Sequence, residues 1–125
     1  LLALERRTMT QKISLLTLAV IAAAALEAER VVGRDGQYAT AGGNVFGVTN
    51  TSGLVGDRVP VDVVGTSIAT AGGAFADGAY LQVGSAGKLI ARTTGIAVAQ
   101  AMQLATADGD RVEVLLIPNA PATTG

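Results

Sequence analysis

The sequence predicts an all-β fold, a small sandwich or barrel built from two pseudo-repeated β units with an extended N-terminal arm and at most a short helix. Three observations lead there. Short Val-rich runs are separated by Gly, Asp, Asn and Ser, the punctuation of strands joined by tight turns. Two of these runs, Arg58–Val64 and Arg111–Ile117, open with strict alternation of Val and other residues, the period of a strand with one face buried. The segment Gly-Asp-Arg-Val-x-Val occurs twice, at Gly56 and again at Gly109.

Along the chain, residues 1–8 (LLALERRT) differ in composition from the rest and read as an upstream extension ahead of Met9. From Ile13 to Leu26 runs the uncharged stretch ISLLTLAVIAAAAL. Preceded by Arg6, Arg7 and Lys12, it has the build of a cleaved secretory signal, but Leu26 and Glu27 before Ala28 make a poor cleavage site. It falls short of the roughly 20 apolar residues of a membrane span. Leu16, Leu18 and Val20 alternate with Thr17 and Ala19, which is strand periodicity, while Ala22–Ala28 could form two helical turns because Ala is the best helix former. Residues 9–28 are therefore expected to be an apolar arm, residues 29–119 a single β domain, and residues 120–125 a flexible tail.

Within the β domain, the run at Arg58 contains Pro60, which predicts an edge or a bulge because proline donates nothing to a ladder. Shorter strands are expected at Glu29–Val32, Val45–Thr49, Ser67–Thr70, Tyr80–Gly84, Lys88–Arg92 and Ile96–Ala101, making eight with the two longer runs. The repeat extends upstream of the two Gly-Asp segments. Val32-Gly33-x-x-Gly36 matches Val83-Gly84-x-x-Gly87, and Gly47-Val48-Thr49 matches Ala97-Val98-Ala99, in the same order. Gly56, Asp57, Gly109 and Asp110 are assigned to turns, Asp bonding its own backbone just before each strand.

Composition excludes much chemistry. The 125 residues include no Cys and no His, so thiolate nucleophiles, the commonest general base and the commonest transition-metal ligand are missing. The carboxylates Asp57, Asp62, Asp77, Asp108, Asp110 and Glu113 are explained by turns and by the solvated faces of strands, where alternation puts Asp62 and Glu113. Asp108-Gly109-Asp110 resembles a calcium-loop fragment without the remaining ligands at their spacing, and neither Gly42-Gly43 nor Gly72-Gly73 leads into a phosphate-binding helix. We expect no catalytic residue, no cofactor and no metal. Nine Lys and Arg scattered against ten Asp and Glu give no basic patch, so neither nucleic acid nor membrane is an expected partner. Only 15% of residues are charged, which suits a surface that neighbours cover. Ile13, Leu15, Leu16, Leu18 and Val20 are the expected partner-binding residues, since an apolar extended segment can add to another protein's sheet edge.

The run Thr10–Leu18, the Ala-rich stretch after it, Gly-Val-Thr followed by Gly-Asp-Arg-Val-Pro-Val, and the closing Ala-Thr-Ala-Asp-Gly-Asp-x-Val-Glu-Val-Leu-Leu together resemble the small capsid decoration (cement) proteins of tailed bacteriophages. The resemblance spans about residues 9–119. It implies a virion structural protein on the outer capsid surface, assembled in the host bacterial cytoplasm. Such a protein bridges major capsid protein subunits and meets neighbouring copies of itself, as trimers. The alternative from a different class is a secreted or cell-surface β-repeat protein whose first segment is cleaved.

Overall fold

The computed structural model describes residues 12–118. Its eight strands are β1 (Ser14–Ile21), β2 (Val31–Val32), β3 (Gly47–Thr49), β4 (Arg58–Thr70), β5 (Tyr80–Val83), β6 (Leu89–Ala91), β7 (Ala99–Ala101) and β8 (Arg111–Leu116). Every strand pair is antiparallel, in the order β2-β3-β4-β8-β7-β5-β6, with β1 also on β4. Thr17 of β1 and Val48 of β3 both oppose Asp62, so those two strands flank β4 on opposite edges. Beyond β4 the sheet curls back on itself. Ala71 makes a parallel bridge with Leu89, and the Gly72 N–H donates to the Leu89 carbonyl at 2.7 Å. The result is a nearly closed antiparallel barrel, and the only helical element among the described residues is one 3-10 turn, Ser85–Gly87.

β4 is the spine because its sequence sustains it. Val59, Val61, Val63, Val64, Thr66 and Ile68 are β-branched, and 13 residues are long enough to carry β1 and β3 on one half and β8 on the other. The expected strands at Arg58–Val64 and Ser67–Thr70 are thus one. Pro60 is not on a free edge: it opposes Ala19 of β1, and its carbonyl accepts from the Asn50 N–H just where β3 ends. No return bond is needed there, which is how the ladder accommodates it.

The irregularity comes at Gly65, with φ +105° and a position where a Cβ would stand 2.2 Å from the Ile13 carbonyl oxygen. Register shifts between β1 and β4 fall on either side of Leu16. An extra residue reverses which side alternate residues face. As a result Asp62 and Ser67, an odd number of positions apart, lie on the same side and hydrogen-bond.

Residues 22–28 form no helix. The Ala22 N–H donates to the Asp57 carbonyl, Ala23 to Gly36 and Leu26 to Gly53. These cross-chain partners take the donors that helical turns would have used internally, so packing overrides alanine's propensity. At the matching turns, Gly56 and Gly109 have φ of +91° and +95°. The Asp57 carboxylate accepts from the Leu54 N–H at 2.9 Å, and that of Asp110 from the Thr106 and Ala107 N–H groups at 2.8 and 3.2 Å. Those donors, with the Thr106 hydroxyl, hold the Asp110 carboxyl below the usual carboxylate range.

Buried side chains fall into two clusters. The smaller joins Val20, Ala22, Leu26, Val32, Val59 and Val61 beneath β1 and the first half of β4. The larger fills the barrel of β4 to β8 and includes Phe75, Leu81, Val83, Leu89, Val112 and Val114. It also takes in Val31 and Val48 from the first half of the chain.

Candidate interaction surface

The pairing registers line up two rows of side chains across the sheet. Thr17, Asp62, Val48 and Val31 oppose one another in turn on β1, β4, β3 and β2. Thr66, Leu115, Gln100 and Tyr80 do the same on β4, β8, β7 and β5. The first row is buried beyond the exposed Thr17: Asp62 and Val48 are 0% exposed and Val31 1%. The second faces outward, with Tyr80 at 55% and Leu115 at 38%.

Asp62 corrects the sequence reading, which put it on a solvated face. It is instead the centre of a polar cluster, accepting hydrogen bonds from Ser67 Oγ at 2.8 Å, Lys12 Nζ at 3.0 Å, Thr17 Oγ1 at 3.0 Å and Asn50 Nδ2 at 3.1 Å. Lys12 Nζ also donates to Asn50 Oδ1. Alternation alone misplaces Asp62 because both faces of this part of β4 are covered, one by the small core and the other by the large one. Burial pushes the Asp62 carboxyl up, but the bonds from Ser67, Lys12, Asn50 and Thr17 together outweigh it and hold the carboxyl below its ordinary value. Glu113 is half-buried, and its carbonyl accepts from the Met102 N–H.

Of the five residues expected to bind a partner, Ile13, Leu15, Leu16 and Leu18 are 61%, 72%, 45% and 42% exposed, whereas Val20 lies in the small core. All five lie on or beside β1, which is hydrogen-bonded to β4 on one edge; between Ser14 and Val20 no strand of the described residues pairs with the other edge. Sequence reasoning missed Leu54 and Val55, 70% and 69% exposed at a turn tip, and the patch of Tyr80, Met102 and Leu115. A signal for Leu115 was present: it stands in the second Gly-Asp-Arg-Val segment where the first has Asp62.

An open groove of about 430 Å³ lies between Ala25–Glu27, Tyr38 and Ser52–Leu54. Its carboxylates are engaged, Asp57 with the Leu54 N–H and Glu27 with Arg30 at 3.1 Å, so it offers no paired acids for hydrolysis. Among the described residues no group of acidic side chains is placed to hold a metal ion, and no helix is long and apolar enough to cross a membrane.

The family model for phage cement proteins matches residues 10–116. The chain belongs to the phage cement protein family. It is therefore a capsid-associated, non-enzymatic structural protein, and the match covers β1 as well as the barrel. The fold is also that of the crystal structure of the head fiber gp8.5 N base in bacteriophage phi29, with a TM-score of 0.67 at 17% identity over 82% of this chain and 93% of that one. A search of curated proteins found no match.

Proposed function

We propose that this cement protein binds the outside of a phage capsid and stabilises it by bridging major capsid protein subunits, using the exposed side chains of β1. The observation that carries this reading is the row of aliphatic residues at Ile13, Leu15, Leu16 and Leu18 on an unprotected sheet edge. Seven residues from Ser14 to Val20 contain no charge and no proline, the devices by which proteins blunt an exposed edge. An edge left this way suits β-strand addition by a neighbour. Each copy adds a modest contact, and a closed lattice multiplies it, because one bond made raises the effective concentration for the next.

We also propose that the domain consists of two pseudo-repeated β units sharing β4. The hydrogen bonds support this. Glu29 donates to Thr49 and Thr49 to Arg30, as Gly78 does to Ala101 and Ala101 to Ala79. Glu29, at φ +64°, and Gly78, at φ +87°, share the left-handed conformation. Leu26 and Gly53 exchange two bonds, as do Phe75 and Ala105.

Shell binding is tested with Leu15→Asp. Leu15 is 72% exposed, so the variant should melt like the parent. In co-sedimentation with undecorated shells its binding should fall by at least about tenfold, the effect of losing one well-buried contact of about 1.4 kcal/mol. Parental binding by this variant would remove β1 from the capsid contact.

A further inference from the structure

Within the chain, the first β unit docks on the second in a defined way. Its outer row, Val31, Val48 and Asp62, lies over the mouth of the second unit: Val31 and Val48 join the same buried cluster as Val98, Ala69 and Leu116, and Asp62 hydrogen-bonds Ser67 at 2.8 Å. The registers give each of these residues an equivalent in the other unit, and they shift the upstream matches read from the sequence: Val48 answers to Gln100 rather than Val98, and Val32 to Leu81 rather than Val83. Outer-row residues Val31, Val48 and Asp62 correspond to Tyr80, Gln100 and Leu115. For the mouth, Phe46 donating to Val32 corresponds to Val98 donating to Leu81, and the cross-strand pair Leu18–Val61 to Ser67–Val114.

The two mouths differ in what covers them. In the second unit Ser67 and Val98 are 1% and 2% exposed. In the first, Leu18 is 42% exposed, Leu16 is 45%, and Phe46 and Val63 are half-buried. The first unit thus has an open mouth and the second an uncovered outer row. We infer that a second copy of this chain supplies the missing cover, the outer row of its second unit (Tyr80, Gln100, Leu115) seating on the first unit's mouth (Leu16, Leu18, Phe46, Val63).

The chemistry of the central pair supports this occupant. Inside the chain the contact is Asp62 with Ser67, a carboxylate with a hydroxyl. At the equivalent positions between copies stand Leu115 and Leu18, both apolar and both exposed in the single chain. A polar pair has been exchanged for an apolar one on both sides at once, which neither surface needs if it faces water. The contact is heterologous, since different patches meet, so it closes into a ring or propagates.

This inference rests on the two-unit reading and gives the self-association proposed for the family its surfaces; it takes Leu16 and Leu18 out of the proposed capsid contact and leaves Ile13 and Leu15 to it. The chain has no Cys, so full-length Leu18→Cys and Leu115→Cys can be mixed and treated with a short thiol-to-thiol cross-linker. The expected product is the mixed dimer, formed well beyond what either variant gives alone. Dominant self-cross-linking of Leu18→Cys would mean a symmetric β1–β1 contact and overturn the assignment. In sedimentation equilibrium without shells, Leu115→Asp should weaken association roughly a hundredfold, the loss expected of a central apolar anchor. Melting curves of each variant guard against unfolding, and the exposed Leu115 serves if changes at Leu18 destabilise. A parent chain that stays monomeric at about 100 μM, or a Leu115→Asp variant that associates like the parent, refutes the contact. Shell binding lost in Leu15→Asp alone would leave this result standing, so the two readings fail separately.

Discussion

Replacing Asp62 by Ala removes a buried carboxylate that four donors share. Three of these, on Lys12, Thr17 and Asn50, come from residues that reach solvent and can turn to water. Ser67 cannot: it is 1% exposed, and its hydroxyl would be left without its acceptor. A buried polar group left unpaired costs about 1–3 kcal/mol, and hydrogen bonds to a charged group are worth about 1.5–3 kcal/mol each. Allowing for water at the three accessible donors, the variant should lose about 3–5 kcal/mol. For a domain of this size that is a fall in melting temperature of about 12–20 °C. The charge-dependent part of this stability has a definite pH window. The folded carboxyl is held below its ordinary value, so the unfolded chain takes up the proton first as pH falls. The contribution is complete above about pH 5 and is lost as pH drops through the depressed folded value. Circular dichroism melts of parent, Asp62→Ala and Asp62→Asn from pH 7 to pH 2.5 read both effects. A shift under about 3 °C at pH 7, or a parent-to-Asn gap that does not narrow below pH 4, refutes this account of the cluster.

Other outcomes are expected from single positions. Gly36 and Gly56 both have positive φ, but a Cβ on Gly36 would lie 2.0 Å from the Ile21 carbonyl oxygen whereas one on Gly56 meets nothing within 4 Å. Gly56→Ala should therefore cost only the conformational term of about 1–2 kcal/mol, and Gly36→Ala clearly more, as measured by urea denaturation. Gln82 is 8% exposed, and its Oε1 accepts from the Thr93 and Gly95 N–H groups at 2.8 Å each. Gln82→Leu should free the loop 92–95, read as faster amide exchange at Thr93 and Gly95. Removing residues 12–21 should unfold the first unit rather than trim an arm, because β1 is paired to β4 from Ser14 to Ile21; limited proteolysis of the truncated chain checks this.

Short-range rules account for the part of the fold that was legible in the sequence. Val59, Val61, Val112 and Val114 announce their strands by alternation, and Gly56-Asp57 and Gly109-Asp110 announce turns because the residue types carry the conformation with them. The class of fold and most strand positions were readable on that basis. The misplacements share a different cause. Asp62 is buried because the register shift beside Gly65 brings it to Ser67's side and β1 and β3 flank it on both edges, facts of tertiary packing that no local period encodes. Ala22–Ala28 forms no helix because Asp57, Gly36 and Gly53 supply carbonyls from distant parts of the chain. Pro60 is tolerated inside the sheet because β3 happens to end beside it. In each case a long-range partner decided between two locally acceptable conformations.

The repeated Gly-Asp-Arg-Val segment supplied more than a strand assignment, because its two copies differ in one informative place. Val59 and Val61 of the first copy and Val112 and Val114 of the second are buried alike, so the inward positions keep the same character in both copies. The next outward position is Asp62 in one and Leu115 in the other. If both copies faced the same surroundings, a fully buried carboxylate and a solvent-facing leucine would be the wrong way round, since a charge loses its hydration on burial and an aliphatic side chain gains by it. The exchange makes sense when each residue is matched to its own cover. Asp62 meets the hydroxyl, amide and ammonium groups that the chain itself provides. Leu115 awaits an apolar partner that the single chain does not provide, which is the role proposed for Leu18 of another copy.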